Sequence, residues 1–179
     1  MFGVPLVSEE AFKATYNFGP EHSVVVSAVK EARKRGLVGV RLEDEHFPEL
    51  NKLAAFTLFS GSIDAKHNVE LADQEANLLY ARNWLAKLGA DSYYRRGRKA
   101  IISSSGGTAV GRALRVLGVP HAKAKVSLNE LHLPFYVKSL VGGLKAGRFS
   151  GEKKRTAESV VNDFVKALFF ARKRDLVSS

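Results

Sequence analysis

Apolar residues recur at helical spacing along nearly the whole of this chain, and glycine or proline closes most of the runs. The last run is the clearest. Between about Glu152 and Arg174, residues Val160, Val161, Phe164, Ala167, Leu168 and Ala171 form one stripe. It closes on Arg172-Lys-Arg174, where cations suit the negative end of the helix dipole. The same reading predicts a helix from Pro20-Glu21 to about Arg35, closed by Gly36, although Val24-Val-Val26 is a β-branched run that favours strand. A second helix spans about Pro48 to Ser60, proline suiting a first turn. A third and longest helix spans about Ala65 to Leu88, with Leu71, Leu78 and Leu85 on one stripe and Gly89 at its end. A fourth runs from about Ser105 to Leu117 and stops at Gly118 and Pro120. The S-x-x-E spacing of Ser127-Leu-Asn-Glu130 opens a fifth, which ends at Gly147. Residues 1–20 read as irregular, 37–46 as a connector, and no internal repeat stands out. The expected fold class is therefore all-α, with residues 1–45 an N-terminal arm carrying an extra helix and residues 46–179 the main domain.

Charge then narrows the partner. The net charge is +10 and the isoelectric point is near 9.9, an excess that points to a polyanion. Nucleic acid is the expected one, with an anionic membrane surface the lesser alternative. No apolar run reaches the ~18–20 residues that a bilayer span requires. The first ten residues read neither as a secretory signal nor as a transit peptide, and a chain already cleaved would look the same. The chain has no cysteine, so disulfides, thiolate zinc sites and cysteine nucleophiles are excluded.

The cations gather in four clusters: Arg33-Lys-Arg35, the segment holding Arg95, Arg96, Arg98 and Lys99, Lys153-Lys154-Arg155, and Arg172-Lys-Arg174. The second cluster follows Tyr93 and Tyr94 and reads as a basic loop with aromatics. Cations there would hold phosphates while a ring stacks on a base. The expected RNA-binding residues are Tyr93, Tyr94, Arg95, Arg96, Arg98, Lys99, Lys153, Lys154 and Arg155. Solvated helix ends are the plain alternative for each cluster. Histidines 22, 46, 67, 121 and 132 lack metal-ligand spacing and read as surface, turn or core residues. Ser103-Ser-Ser-Gly-Gly107 reads as the N-cap of the fourth helix, since no Gly-Lys-Ser or Gly-Lys-Thr follows to make a phosphate loop. Phe169 and Phe170 lie outside the stripe of the last helix and widen its core face or mark a protein interface.

Several stretches, in order, resemble the ribonuclease III family. Ala55-Phe-Thr-Leu-Phe-Ser60 resembles the family's T-H-x-S element, with Leu58 in place of the His. His67-Asn-Val-Glu-Leu71, continuing to Leu78-Leu79, resembles the signature helix H-N-E-R-L-E-F-L-G-D-A-V-L. Ala109 to Val119 resembles the helix closing on L-G-L, and Tyr136 to Leu144 resembles F-E-A-L-I-G-A. Thr156 to Phe169 resembles the last helix, so the resemblance covers about residues 45–175.

The resemblance implies a ribonuclease III-like helical domain, and the family's nucleases hold two Mg²⁺ ions on carboxylates. Magnesium needs oxygen ligands. In the register set by His67-Asn68, the signature acids fall on Val69, Ala72 and Ala76. Shifted by one, Glu70 and Asp73 remain, but Asn77 replaces an Asp. In the later element the family's acids fall on Phe135 and Lys138. On one helix, Glu70 and Asp73 would lie ~60° apart, with Glu75 about 140° or more from either, so the three would not converge.

The resemblance therefore implies an inactive branch: no catalytic residue, no metal, no cofactor and no nuclease activity. Without the family's usual double-stranded-RNA-binding domain, and strongly basic, the chain resembles the mitochondrial large-subunit ribosomal proteins of this fold. Expected partners are ribosomal RNA, ribosomal proteins and a homologous ribonuclease III-like subunit, in the mitochondrial matrix. An active Mg²⁺-dependent mini-ribonuclease and a helical adaptor without RNA contact are the rival readings.

Overall fold

In the computed structural model the chain folds into seven helices and four strands among the residues described, which are 1–95, 101–105, 108–121 and 133–178. Helix predominates, as the periodicity predicts. In chain order the elements are α1 (Glu9–Lys13), α2 (Ser23–Lys34), α3 (Phe47–Ser60), β1 (Gly61–Ile63), β2 (Val69–Ala72), α4 (Glu75–Lys87), β3 (Asp91–Arg95), β4 (Ile101–Ser105), α5 (Thr108–Leu117), α6 (Phe135–Lys145) and α7 (Gly151–Ser178).

Helix α3 is the centre of the molecule. Phe47, Leu50, Leu53, Ala54, Ala55, Phe56 and Leu58 are all buried, which is the pattern of a helix apolar on every side. Burying each Leu or Phe contributes about 1.5–3 kcal/mol relative to exposure. Its largest neighbour is α7, which lays Ala157, Val160, Phe164 and Ala167 on the core. Residues 1–45 pack into the same core through Leu6, Val7, Phe12, Val25, Val29, Leu37 and Val40. The Val24-Val-Val26 run stays helical because α2 buries Val25, Val29 and Ala32 on one face, which outweighs local strand preference. His22 Nδ1 accepts from Val24 N (3.1 Å) at its start, and Gly36, at φ 73°, follows its end.

The sheet corrects the purely helical expectation. Its strand order is β1-β2-β4-β3, with antiparallel pairs throughout. The predicted helix Ala65–Leu88 is a turn, then β2, then α4. Two local features break it. Val69 and Leu71 are buried while Glu70 and Ala72 are half-buried, the alternation of a strand. Asp73 then accepts from Gln74 N (2.6 Å) and Asn77 Nδ2 (3.0 Å), bonds that hold the turn from which a new helix starts. Leu71, seven residues before Leu78, mimics a helical stripe without belonging to one.

Other boundaries also move. Ile101–Ser105 is a strand where the sequence reads Ser103–Gly107 as a cap, and α5 begins at Thr108. Asp91–Arg95 is a strand where a loop starting at Tyr93 is predicted. The irregular first twenty residues hold α1, capped by Ser8 Oγ accepting from Ala11 N (3.1 Å). The predicted capping box at Ser127–Glu130 lies outside the described residues, and α6 begins at Phe135 directly after Pro134.

Candidate nucleic-acid interface

The exposed cations concentrate at the corner between α6 and α7. Lys145 ends α6, Gly147 turns the chain at φ 68°, and Arg148 follows. Phe149 anchors the corner inward. Its ring meets Phe2 edge-on at 5.3 Å and lies against Gly143, where a β-carbon would collide with it. Helix α7 then starts at Gly151 with Lys153, Lys154 and Arg155 exposed in its opening turns.

This placement runs against helix electrostatics. The N-terminus of a helix carries partial positive charge and favours anions. Glu152 is the acidic residue of that first turn. Among the described residues, Lys145, Arg148, Lys153, Lys154 and Arg155 have no carboxylate at ion-pair distance. Lys153 Nζ instead stands 5.9 Å over the Phe2 ring. Cations crowded where the backbone already repels them leave a site whose potential an anion relieves.

The remaining clusters differ. Arg33 pairs with Glu9 at 3.0 Å and ties α2 to α1, and Arg35 pairs with Glu31 at 3.6 Å at the end of α2. Tyr93, Tyr94 and Arg95 lie on the edge strand β3, in register with Ser103, Ile102 and Ile101. Arg96, Arg98 and Lys99 lie outside the described residues. Strand β3 packs on β4 and α4, and α7 packs on α3 and α6, so the two predicted RNA-binding segments sit on different elements.

Beside Lys153 and Arg155 runs a groove of about 670 Å³, between the start of α3 and the first half of α7. Phe2, Leu42, Phe47 and Val160 supply its apolar surface, and its polar surface includes the acids Glu43, Asp44, Glu152 and Asp163 as well as Ser159. A buried Asn51 holds its base: Tyr136 Oη donates to Asn51 Oδ1 (2.8 Å), and Asn51 Nδ2 donates to the Val160 carbonyl (2.9 Å). That network ties α3, α6 and α7 together. The sequence signal for it was a lone Asn in an apolar helix.

The acids discussed for metal binding do not share one helix. Glu70 lies on β2, Asp73 in the turn after it and Glu75 at the first position of α4. The angular separations expected on a single helix therefore do not apply. Asp73 is buried, and its carboxylate accepts from Ser60 Oγ (2.7 Å) as well as from Gln74 N and Asn77 Nδ2. Glu75 is exposed at a helix start, which a carboxylate suits, and lines a small pocket with Leu78, Leu79 and Arg82. Phe135 and Lys138 are exposed on α6. Among the described residues no three His, Asp or Glu side chains are grouped to hold a metal ion.

A second polar cluster faces the turn between β1 and β2. His67 adopts φ 66°, rare for a residue with a side chain, and its ring lies 5.1 Å from that of His121. His121 Nδ1 is 3.0 Å from the Ile63 carbonyl oxygen. Arg112 stacks 3.5 Å over Tyr16 and donates to the Thr15 carbonyl (2.7 Å). Desolvation lowers the His67 pKa to about 4, helped by the charges of Arg112, His121 and Arg115.

No protein-family model matches the chain, and no curated protein or solved structure matches it either.

Proposed function

We propose that this chain is a non-nucleolytic RNA-binding component of a ribonucleoprotein, gripping the phosphate backbone at the α6–α7 corner. The observation that carries the reading is the set of exposed cations at that corner, without ion-pair partners among the described residues and partly set against a helix dipole. The overall charge of +10 agrees with it. The salt dependence of binding to a ribosomal RNA fragment tests it. Each phosphate that the protein no longer neutralises lowers the slope of log K against log salt by ~0.7–0.9. Replacing Lys153, Lys154 and Arg155 together by Gln should flatten the slope by ~2. An unchanged slope would move the contact elsewhere.

The finer reading is a structural protein of the mitochondrial large ribosomal subunit, paired with a related ribonuclease III-like subunit. It rests on the ordered resemblance over about residues 45–175 and on Phe135 and Lys138 standing where the family carries acids. Strand β2, where the family has the first half of its signature helix, departs from that pattern. The burial of Asp73 and its engagement by Ser60, Gln74 and Asn77 support the non-nucleolytic half of the reading. Purified protein should leave double-stranded RNA intact in Mg²⁺. Cleavage that disappears in Glu70→Gln or Asp73→Asn would establish the nuclease instead. Salt-sensitive co-purification with large ribosomal subunits and a homologous subunit is the expected cellular result, and co-purification with proteins alone would favour an adaptor.

A further inference from the structure

We infer that the groove beside Lys153 and Arg155 accepts one unpaired base of the bound RNA. The inference rests on the RNA-binding reading of the α6–α7 corner and names what the adjoining cavity adds to it.

A groove of about 670 Å³ lies in the range of ligand sites, with room for a nucleobase and its ribose. Its two kinds of lining suit two parts of a nucleotide. Lys153 and Arg155 belong both to the groove and to the exposed corner, so a phosphate held there stands at its mouth. Four carboxylates also line the groove, those of Glu43, Asp44, Glu152 and Asp163, which repel a phosphate but accept hydrogen bonds from neutral donors. The N–H groups of a base edge and the hydroxyls of a ribose are such donors. Guanine fits best by this chemistry, because its N1–H and N2–H₂ donors lie side by side and match one carboxylate. Phe2, half-buried, supplies aromatic surface for the base, with the buried Phe47 behind it, and Asn51 is already hydrogen-bonded on both sides of its amide. An unpaired base can enter without breaking a base pair, whereas a paired one would first have to leave its helix.

The experiment compares three RNA duplexes: fully paired, with a single bulged guanine, and with an abasic bulge at the same place. Anisotropy titrations at one salt concentration give the affinities. The guanine bulge should bind about tenfold tighter than either control, on the order of one stacked base. Ser159→Trp fills the groove from an exposed position on α7. It should abolish the preference and leave the affinity for paired RNA unchanged. Phe2→Ala, which removes one aromatic wall, should reduce the preference. Equal binding of guanine and abasic bulges would overturn the inference, and so would a preference that survives Ser159→Trp. Replacing Lys153, Lys154 and Arg155 by Gln should weaken all three RNAs together. Failure of the native protein to bind any of the three would overturn the RNA-binding reading as well.

Discussion

Two helical glycines should respond to alanine with opposite signs. Gly111 lies buried in α5, at its contact with the turn between β1 and β2. A β-carbon there would stand 2.8 Å from the His67 carbonyl carbon and 3.4 Å from its Cα, and closer still to the carbonyl oxygen. Carbon–carbon contacts relax at ~3.5–4.0 Å, so the backbones must part by roughly 1 Å. Neither side yields cheaply. The turn is held by Asp64, whose Oδ1 accepts from Lys66 N (2.9 Å) and Asn68 N (2.8 Å), and by His67 N donating to the Asp64 carbonyl (2.9 Å). Helix α5 is held by Val110, Ala113, Leu114 and Leu117 in the core. Overpacking of this kind costs about 3 kcal/mol. The better helix propensity of Ala offsets ~1 kcal/mol. The net loss is about 2 kcal/mol, a fall of ~4–8 °C in Tm for a chain of this size. Gly142 in α6 is exposed, with nothing within 4 Å of the corresponding β-carbon. Gly142→Ala should therefore raise Tm by ~1–4 °C through propensity alone. Thermal melts followed by circular dichroism measure both. A Gly111→Ala protein as stable as the native one would refute the close approach of α5 to the turn.

Acid should weaken the fold partly through His67. Its folded pKa of about 4 lies below the usual 6.5, so between those values the unfolded chain binds the proton and the native one does not. Stability is full above pH 6.5 and declines as pH falls toward 4, by on the order of 1 kcal/mol after discounting for the half-exposed ring. Urea melts of the native protein and of His67→Asn, which tolerates a positive φ, should differ in slope over that window, and equal slopes would count against it. Asp73→Ala leaves Ser60 Oγ, Gln74 N and Asn77 Nδ2 without their acceptor and should cost about 1–3 kcal/mol by denaturant titration, with Asp73→Asn recovering part of the loss. Unchanged stability would mean that these bonds do not hold the turn between β2 and α4. Tyr136→Phe leaves Asn51 Oδ1 buried without its donor, a loss of ~1–3 kcal/mol by denaturant titration, and no loss would dissolve the proposed network.

Helices α2, α3 and α7 were legible because each is long, punctuated by glycine or proline, and striped over several turns. The sheet was not. Strand β2 offers only Val69–Ala72 to read, and Leu71 falls in phase with Leu78 and Leu85. Its pairing is also distant: Glu70 meets Ser103 across the whole of α4 and β3, and no local pattern records that. Lys153, Lys154 and Arg155 were visible as a run of charge. Lys145 and Arg148 join them because Gly147 reverses the chain, a geometry that residue spacing alone does not express. The groove depends on α3 meeting α7, so its acids and aromatics are scattered along the sequence.

The hydrogen bond from Asn51 to Val160 spans 109 residues. On a translating ribosome, at roughly 5–20 residues per second, α3 leaves the peptidyl-transferase centre roughly 5–20 s before the helix that covers it. Until then a segment apolar on every side has no α7 to lie against. Synthesis of this protein therefore includes a long interval in which its central helix is a ready substrate for any holding chaperone. A pause within the codons for α7 should lengthen that association and leave the finished fold unchanged.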